Sequence, residues 1–157
     1  MRYMKKIALV FLFAMMLSSC GNKNVIFDES VVIPNASWDN QELPYFDVNV
    51  EDTLSPYSFY FNIRHLENYR YSNFYMFMPT TFPDGNRTHD TVEIVLAYPD
   101  GRWVGRGSGS MRDNNILLND NLHFPLKGNY RFEIEQAMRE DVLDGIVDVG
   151  VCFEKNN

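Results

Sequence analysis

The sequence predicts an all-β protein, a two-sheet antiparallel sandwich of jelly-roll type with about eight strands. Aromatic residues make up 15% of the chain and β-branched residues recur, and both favour strands. Apolar and polar residues alternate along much of the chain, as expected for strands with one buried face. Turn-forming segments separate the alternating stretches at regular intervals, which is typical of sandwiches.

Four segments alternate most clearly and are each predicted to be a half-buried strand: residues 57–64, 91–98, 130–135 and 147–154. Further strands are predicted near residues 25–33, 45–50 and 115–118. Residues 73–78 are mostly apolar without alternation, so this strand is expected at the centre of a sheet, covered on both faces. Residues 135–143 are the one helix-like segment and are expected to form at most a short helical turn.

Two Pro-Asp-Gly turns, at 83–85 and 99–101, place glycine where a turn needs positive φ. The first is expected to join residues 73–81 to residues 88–98 as a hairpin. The GxGxG pattern at 105–109 does not lie between a strand and a helix, as a dinucleotide-binding loop does. We therefore expect a flexible loop or a bulged strand edge there.

The N-terminus reads as a secretory signal. Arg2, Lys5 and Lys6 precede an apolar run at 7–17, and Leu-Ser-Ser-Cys follows at 17–20. A basic start, a short apolar run and a small-residue cleavage site define such a signal. The alternative of a membrane-spanning helix needs about 20 apolar residues, more than this run provides.

Cys20 distinguishes a lipoprotein signal from an ordinary one, since its thiolate would accept a diacylglyceryl group before cleavage. The alternative is an ordinary signal with a cysteine there by coincidence. We predict a signal peptide at 1–19, a lipidated Cys20 with a short tether at 20–24, and a single sandwich domain at 25–157. No acidic residue directly follows Cys20, which favours the outer membrane, facing the periplasm, as the location of the anchored protein.

Removal of the signal leaves an acidic chain. Residues 1–19 contain three of the 14 basic residues and none of the 21 acidic ones, so the net charge falls from −7 to −10. Nucleic acids and anionic headgroups bind basic surfaces, so neither is an expected partner. Once Cys20 is lipidated, Cys152 is the remaining thiol, and no disulfide within the chain is expected.

Candidate chemical groups are few, and each has a structural alternative. The mature histidines, His65, His89 and His123, have no metal-site spacing, so neither a metal nor a cofactor is expected. The late carboxylates could form a hydrolase pair or a calcium site, or simply solvate loops; they are Glu140, Asp141, Asp144 and Asp148. Six aromatic side chains could stack on a glycan or could pack in the core; they are Trp38, Trp103, Tyr57, Tyr60, Tyr69 and Tyr71.

The chain resembles the GldH family of gliding-motility lipoproteins from Bacteroidetes. The resemblance is carried by the order and spacing of short segments, namely DTLSPY at 52–57, FNIR at 61–64, YSN at 71–73, FPDG at 82–85, DTVE at 90–93, DGRWVG at 100–105, FPL at 124–126, EQAMR at 135–139 and GIVDVG at 145–150. It implies an envelope lipoprotein linked to gliding and to type IX secretion. The family has no established catalytic motif, so the one family residue carried over is Cys20.

The sequence thus predicts a non-enzymatic protein that is anchored to a membrane through Cys20 and contacts other envelope proteins. A glycan-binding module on the same scaffold is the alternative. A hydrolase that uses the late carboxylates is a third hypothesis.

Overall fold

Eleven strands and one 3-10 turn, at Pro34–Ala36, make up the computed structural model, which describes residues 24–107 and 109–156. No helix in these ranges has the length and apolar character needed to cross a membrane. The strands are β1 (Val25–Val32), β2 (Ser37–Asp39), β3 (Tyr45–Val50), β4 (Tyr57–Leu66), β5 (Asn73–Thr81), β6 (Arg87–Val95), β7 (Met111–Leu122), β8 (Gly128–Glu133), β9 (Glu135–Gln136), β10 (Val142–Asp144) and β11 (Ile146–Lys155).

The strands form two main sheets. The first sheet has the order β1-β11-β4-β7, and the second has the order β3-β8-β5-β6, with β9 also paired to β5. All of these pairs are antiparallel. Numbered by chain position, the eight longer strands read 1-8-3-6 in one sheet and 2-7-4-5 in the other. This is the jelly-roll order, so the predicted fold class is confirmed.

The core lies between the inner faces of the two sheets. In β4, Phe59, Phe61 and Ile63 are buried, while the alternate positions point outward. Phe59 stacks on Phe153 of β11, with ring centroids 4.4 Å apart, and lies 5.6 Å from Phe132 of the second sheet. The alternation in the sequence therefore supplies the aromatic contacts that join the sheets.

The predicted hairpin is confirmed. β5 and β6 pair from Asn73↔Val95 to Thr81↔Arg87. Gly85 has φ +86° in the connecting turn, and Asp84 Oδ1 accepts a hydrogen bond of 3.0 Å from the backbone N–H of Asn86. Both observations match the turn chemistry expected from the sequence.

Two local expectations differ from the structure. Residues 135–143 contain β9 and the start of β10 rather than a helical turn, because Ala137 N–H bonds to the carbonyl of Tyr75 and extends the pairing with β5. The amide of Gln136 bonds to the Glu140 carbonyl and holds the segment that follows β9. β5 is an inner strand, but Tyr75 on its outer face is 37% exposed, so β5 is not covered on both faces.

The sandwich has two distinct ends. One end, which we call the N-terminal end, is formed by Asn24, the 51–56 loop, the 82–86 turn and the 123–127 loop. Register places them together, because Tyr57 pairs with Leu122 and Val50 pairs with Gly128. The far end is covered by the small β2–β10 sheet, whose Trp38 is fully buried against Phe74.

Candidate functional site

An apolar groove lies on the open side of the sandwich, where β1 ends the first sheet and β3 ends the second. This edge groove has a volume of 520 Å³ and is lined by residues 31–34 and 42–45. Val32 is 69% exposed, and Leu43 and Tyr45 are also exposed. Within the described residues both strands are paired on one side only, so free backbone groups line the same side of the molecule.

The local sequence explains the shape of the edge groove. Ile33 is buried and its N–H bonds to the Val147 carbonyl, so the neighbouring Val32 points outward. The chain then turns sharply through the 3-10 turn, where Asn35 and Ala36 have φ of 55° and 52°. Pro34 begins this turn and lacks an N–H, which helps to keep that part of the groove apolar.

A polar cleft of 610 Å³ lies on the outer face of the first sheet. Its centre is Arg64, which forms ion pairs with Asp113 and, at 3.1 Å, with Asp148. Burial raises the pKa of the Asp148 carboxyl above its usual value, although Arg64 opposes the shift. Beside this group, the Asn115 amide donates a 2.7 Å hydrogen bond to Asn62 Oδ1.

The rim of the polar cleft includes part of the glycine-rich segment. Residues 105–107 and 109 lie outside the named strands, and the segment pairs with β7 through a bridge between Arg106 and Asp113. A Cβ added at Gly105 would lie 2.6 Å from Asn114 Oδ1, so only glycine fits without a shift. Asn114 Oδ1 is buried and has no hydrogen-bond partner in the part of the chain that the structure describes.

Each of the late carboxylates is engaged by a different neighbouring side chain. Glu140 pairs with Arg70, Asp141 with Asn40, Asp144 with Ser37, and Asp148 with Arg64. In the described part of the chain, no group of three or more His, Cys, Asp or Glu side chains is placed to hold a metal ion. The structure thus gives no support to the hydrolase and calcium hypotheses.

The three histidines lie apart. His65 is fully buried; its Nδ1 lies 2.9 Å from the Leu66 carbonyl, and its Nε2 has no hydrogen-bond partner among the described residues. Burial lowers the pKa of His65 below the usual histidine value. His89 packs against Phe77, and His123 is exposed.

The aromatic side chains proposed for glycan stacking are mostly structural. Trp38, Tyr57 and Tyr69 are buried, and the others are half-buried: Tyr60, Tyr71 and Trp103. They do not form one exposed platform. Cys152 is also buried, and burial raises the pKa of its thiol to about 11.

The edge groove was not identified from the sequence. The available signal was the apolar run 31–34 and the Leu-Pro-Tyr segment at 43–45, each of which contains a proline. The predicted lipidation site, Cys20, and the predicted signal peptide at 1–19 lie outside the described residues.

Comparison with known proteins identifies the family. Residues 25–152 match the family model described as GldH lipoprotein. The chain is 34% identical to "Gliding motility lipoprotein GldH homolog" of Christiangramia forsetii, over 94% of each chain. It is 31% identical to "Gliding motility lipoprotein GldH" of Flavobacterium johnsoniae, over 98% of each chain. No solved structure matches the chain. The chain belongs to the GldH lipoprotein family.

Proposed function

We propose that this protein is a non-enzymatic lipoprotein, anchored through Cys20 in the outer membrane and facing the periplasm. It acts through protein contacts as a component or accessory of a gliding-motility assembly associated with type IX secretion. Family membership supports the lipid anchor and the link to gliding. The basic start, the apolar run 7–17 and the cysteine after Ser19 support Cys20 as the anchored residue.

The edge groove is the observation that carries the protein-contact role. Extended segments of partner proteins bind by adding a strand to a free sheet edge, while adjacent pockets accept their side chains. Here two free edges and exposed apolar side chains occur on one side of the molecule. Soluble proteins usually blunt free edges with charge or cover them, so an apolar groove at this place favours a partner.

The position of the edge groove suits a membrane-anchored protein. β1 follows the tether and has 8 residues, with the groove at its C-terminal end. A strand rises about 3.3 Å per residue, which places Val32 about 23 Å along β1 from Val25. A partner in the periplasm can therefore reach the groove while the tether is attached to the membrane.

Photo-crosslinking in living cells tests the contact. A crosslinking amino acid at Val32, at native abundance, should capture specific envelope proteins. Val95 is the matched control, since it is 59% exposed and lies on β6 at the opposite edge of the sandwich. Capture of the same proteins at both positions, or of none at Val32, would contradict the proposal.

The anchor has a separate test. Cys20→Ala should release the protein from the membrane fraction and abolish its role, because no acyl chains would hold it. A Cys20→Ala variant that works normally at native abundance would contradict lipidation at this residue.

Carbohydrate binding is the second candidate, and the polar cleft is the observation that favours it. The amides of Asn62 and Asn115 lie beside the charged Arg64 group, and such groups orient polar ligands. Isotherms against peptidoglycan fragments and common polysaccharides test it. Binding should weaken in Asn62→Ala and stay unchanged in Asn49→Ala, which alters an exposed residue of β3. Flat isotherms for the parent protein would remove this candidate.

A further inference from the structure

The N-terminal end of the sandwich presents an apolar tip. Leu54 lies in the 51–56 loop and is 90% exposed, more than any other large hydrophobic side chain in the described residues. Leu126, in the neighbouring 123–127 loop, is also exposed. Single exposed apolar residues are common on proteins, so the meaning of Leu54 depends on what surrounds it.

Leu54 is held outward by a fixed loop. Asp52 accepts hydrogen bonds from the N–H of Leu54 at 2.8 Å and from the hydroxyl of Ser55 at 2.8 Å. Its carbonyl accepts a bond of 2.7 Å from the hydroxyl of Tyr57, a buried core residue. These contacts fix the loop to the core, so Leu54 is presented to solvent in a defined direction.

The same loop lies beside the point where the tether reaches the domain. The Lys155 N–H bonds to the Asn24 carbonyl at 2.7 Å, and its ammonium group pairs with Asp52 at 2.6 Å. Asn24 is four Cα–Cα steps from Cys20, and a fully extended chain covers at most about 14 Å over these steps. A lipid-modified Cys20 would therefore hold the 51–56 loop close to the headgroups.

The distribution of lysine agrees with this position. The three lysines that follow Cys20 are Lys23, next to Asn24 in the sequence, Lys127 in the 123–127 loop, and Lys155. The chain after the signal is otherwise strongly acidic. Lysine side chains extend along apolar surfaces and place their charge in the headgroup region.

The N-terminal end is not a basic patch. Glu51 and Asp84 are exposed there, and Asp52 is paired with Lys155. Attraction to anionic lipids is therefore not the source of binding. The apolar tip is the feature that fits a bilayer of zwitterionic lipids.

We propose that the domain rests on the bilayer through its N-terminal end, with Leu54 inserted into the interfacial layer and Lys127 at the headgroups. The bilayer is the one that holds the acyl chains, so the inference rests on the proposed anchor. The tether fixes the distance, and the Leu54 tip fixes the orientation. The edge groove, at the other end of β1, then faces away from the membrane.

The test uses the full lipidated protein in phosphatidylcholine vesicles. Leu54→Cys is labelled with an environment-sensitive fluorophore, and Val142→Cys, exposed at the far end, is the matched control. Cys152 is buried and has a raised pKa, so it stays unlabelled; the parent protein checks this. The label at position 54 should shift to the blue and lose emission in vesicles of brominated lipid, while the label at position 142 should do neither.

The failure of this inference can be told from failure of the anchor by flotation. Protein that does not float with the vesicles contradicts the anchor. Protein that floats, but whose label at 54 matches the label at 142, overturns the seating at Leu54. Amide exchange of the unlabelled parent provides a second measurement. The backbone amides of residues 51–56 should exchange more slowly in the vesicle-bound lipoprotein than in a protein without acyl chains in detergent-free solution. Equal exchange rates in the two samples would overturn the inference as well.

Discussion

Gly150 offers a sharp test of how closely β1 and β11 approach. It lies in the middle of β11, pairs with Ser30 on one side and with Asn62 on the other, and is buried. A Cβ at this position would lie 2.2 Å from Ser30 Oγ and 2.5 Å from the carbonyl oxygen of Glu29. Rotation of the Ser30 side chain relieves the first contact, but the second is with backbone, so β1 itself has to move.

Gly150→Ala should therefore lower the free energy of unfolding by about 1–3 kcal/mol, the usual cost of overpacking. For a domain of this size, the melting temperature should fall by about 3–12 °C. Urea unfolding of the detergent-solubilised lipoprotein, followed by the fluorescence of buried Trp38, measures the change. The double variant Gly150→Ala/Ser30→Ala should recover only part of the loss.

Gly101→Ala is the matched control for this substitution. Gly150 is not among the glycines with positive φ, so its substitution isolates the steric effect. Gly101 has φ +84° and no atom within 4 Å of an added Cβ, so its substitution isolates the backbone effect, expected at about 1–2 kcal/mol. A Gly150→Ala protein that unfolds at the same urea concentration as the parent would refute the close approach of β1.

Three further predictions concern buried polar groups. Burial lowers the pKa of His65, so only the unfolded chain takes up a proton at this residue as the pH falls below about 6.5. The free energy of unfolding should therefore decline below that pH, and the decline should be smaller in His65→Phe. Equal pH profiles of the two proteins in urea titrations would contradict this prediction. Burial raises the pKa of the Cys152 thiol to about 11, so iodoacetamide at pH 8 should modify it slowly in the folded protein and rapidly in urea, as read by mass spectrometry. The Tyr130 hydroxyl bonds to both the N–H and the carbonyl of Leu126, so Tyr130→Phe should cost about 1–3 kcal/mol and speed amide exchange at 123–127; unchanged exchange would count against that role.

The parts of the fold that are determined by residues adjacent in the sequence were predictable. The alternation in β4 and the Pro-Asp-Gly turn after β5 predicted a strand and a hairpin, because each signal is contained in a few consecutive residues. The prediction of a helical turn at 135–143 was wrong for the same reason. Its short-range pattern is compatible with a helical turn, and pairing with β5, distant in sequence, decides for a strand.

The candidate sites were less predictable, because they depend on which strands lie at the sheet edges. The apolar run at 31–34 is ambiguous until β1 is known to be an edge strand. Likewise, no feature of the sequence shows that the rings of Trp38, Tyr57 and Tyr69 are buried in the core rather than exposed. The charged group of the polar cleft is assembled from β4, β7 and β11, which the sequence separates widely.

The place of β11 in the first sheet affects the timing of folding. This last strand lies between β1 and β4, and each of them has β11 as a hydrogen-bonded neighbour. The sheet cannot be completed until β11 has been synthesised, and such pairing between distant segments is slow. A chain that crosses the inner membrane from its N-terminus can therefore stay unfolded through translocation, and its sandwich closes only after β11 has crossed.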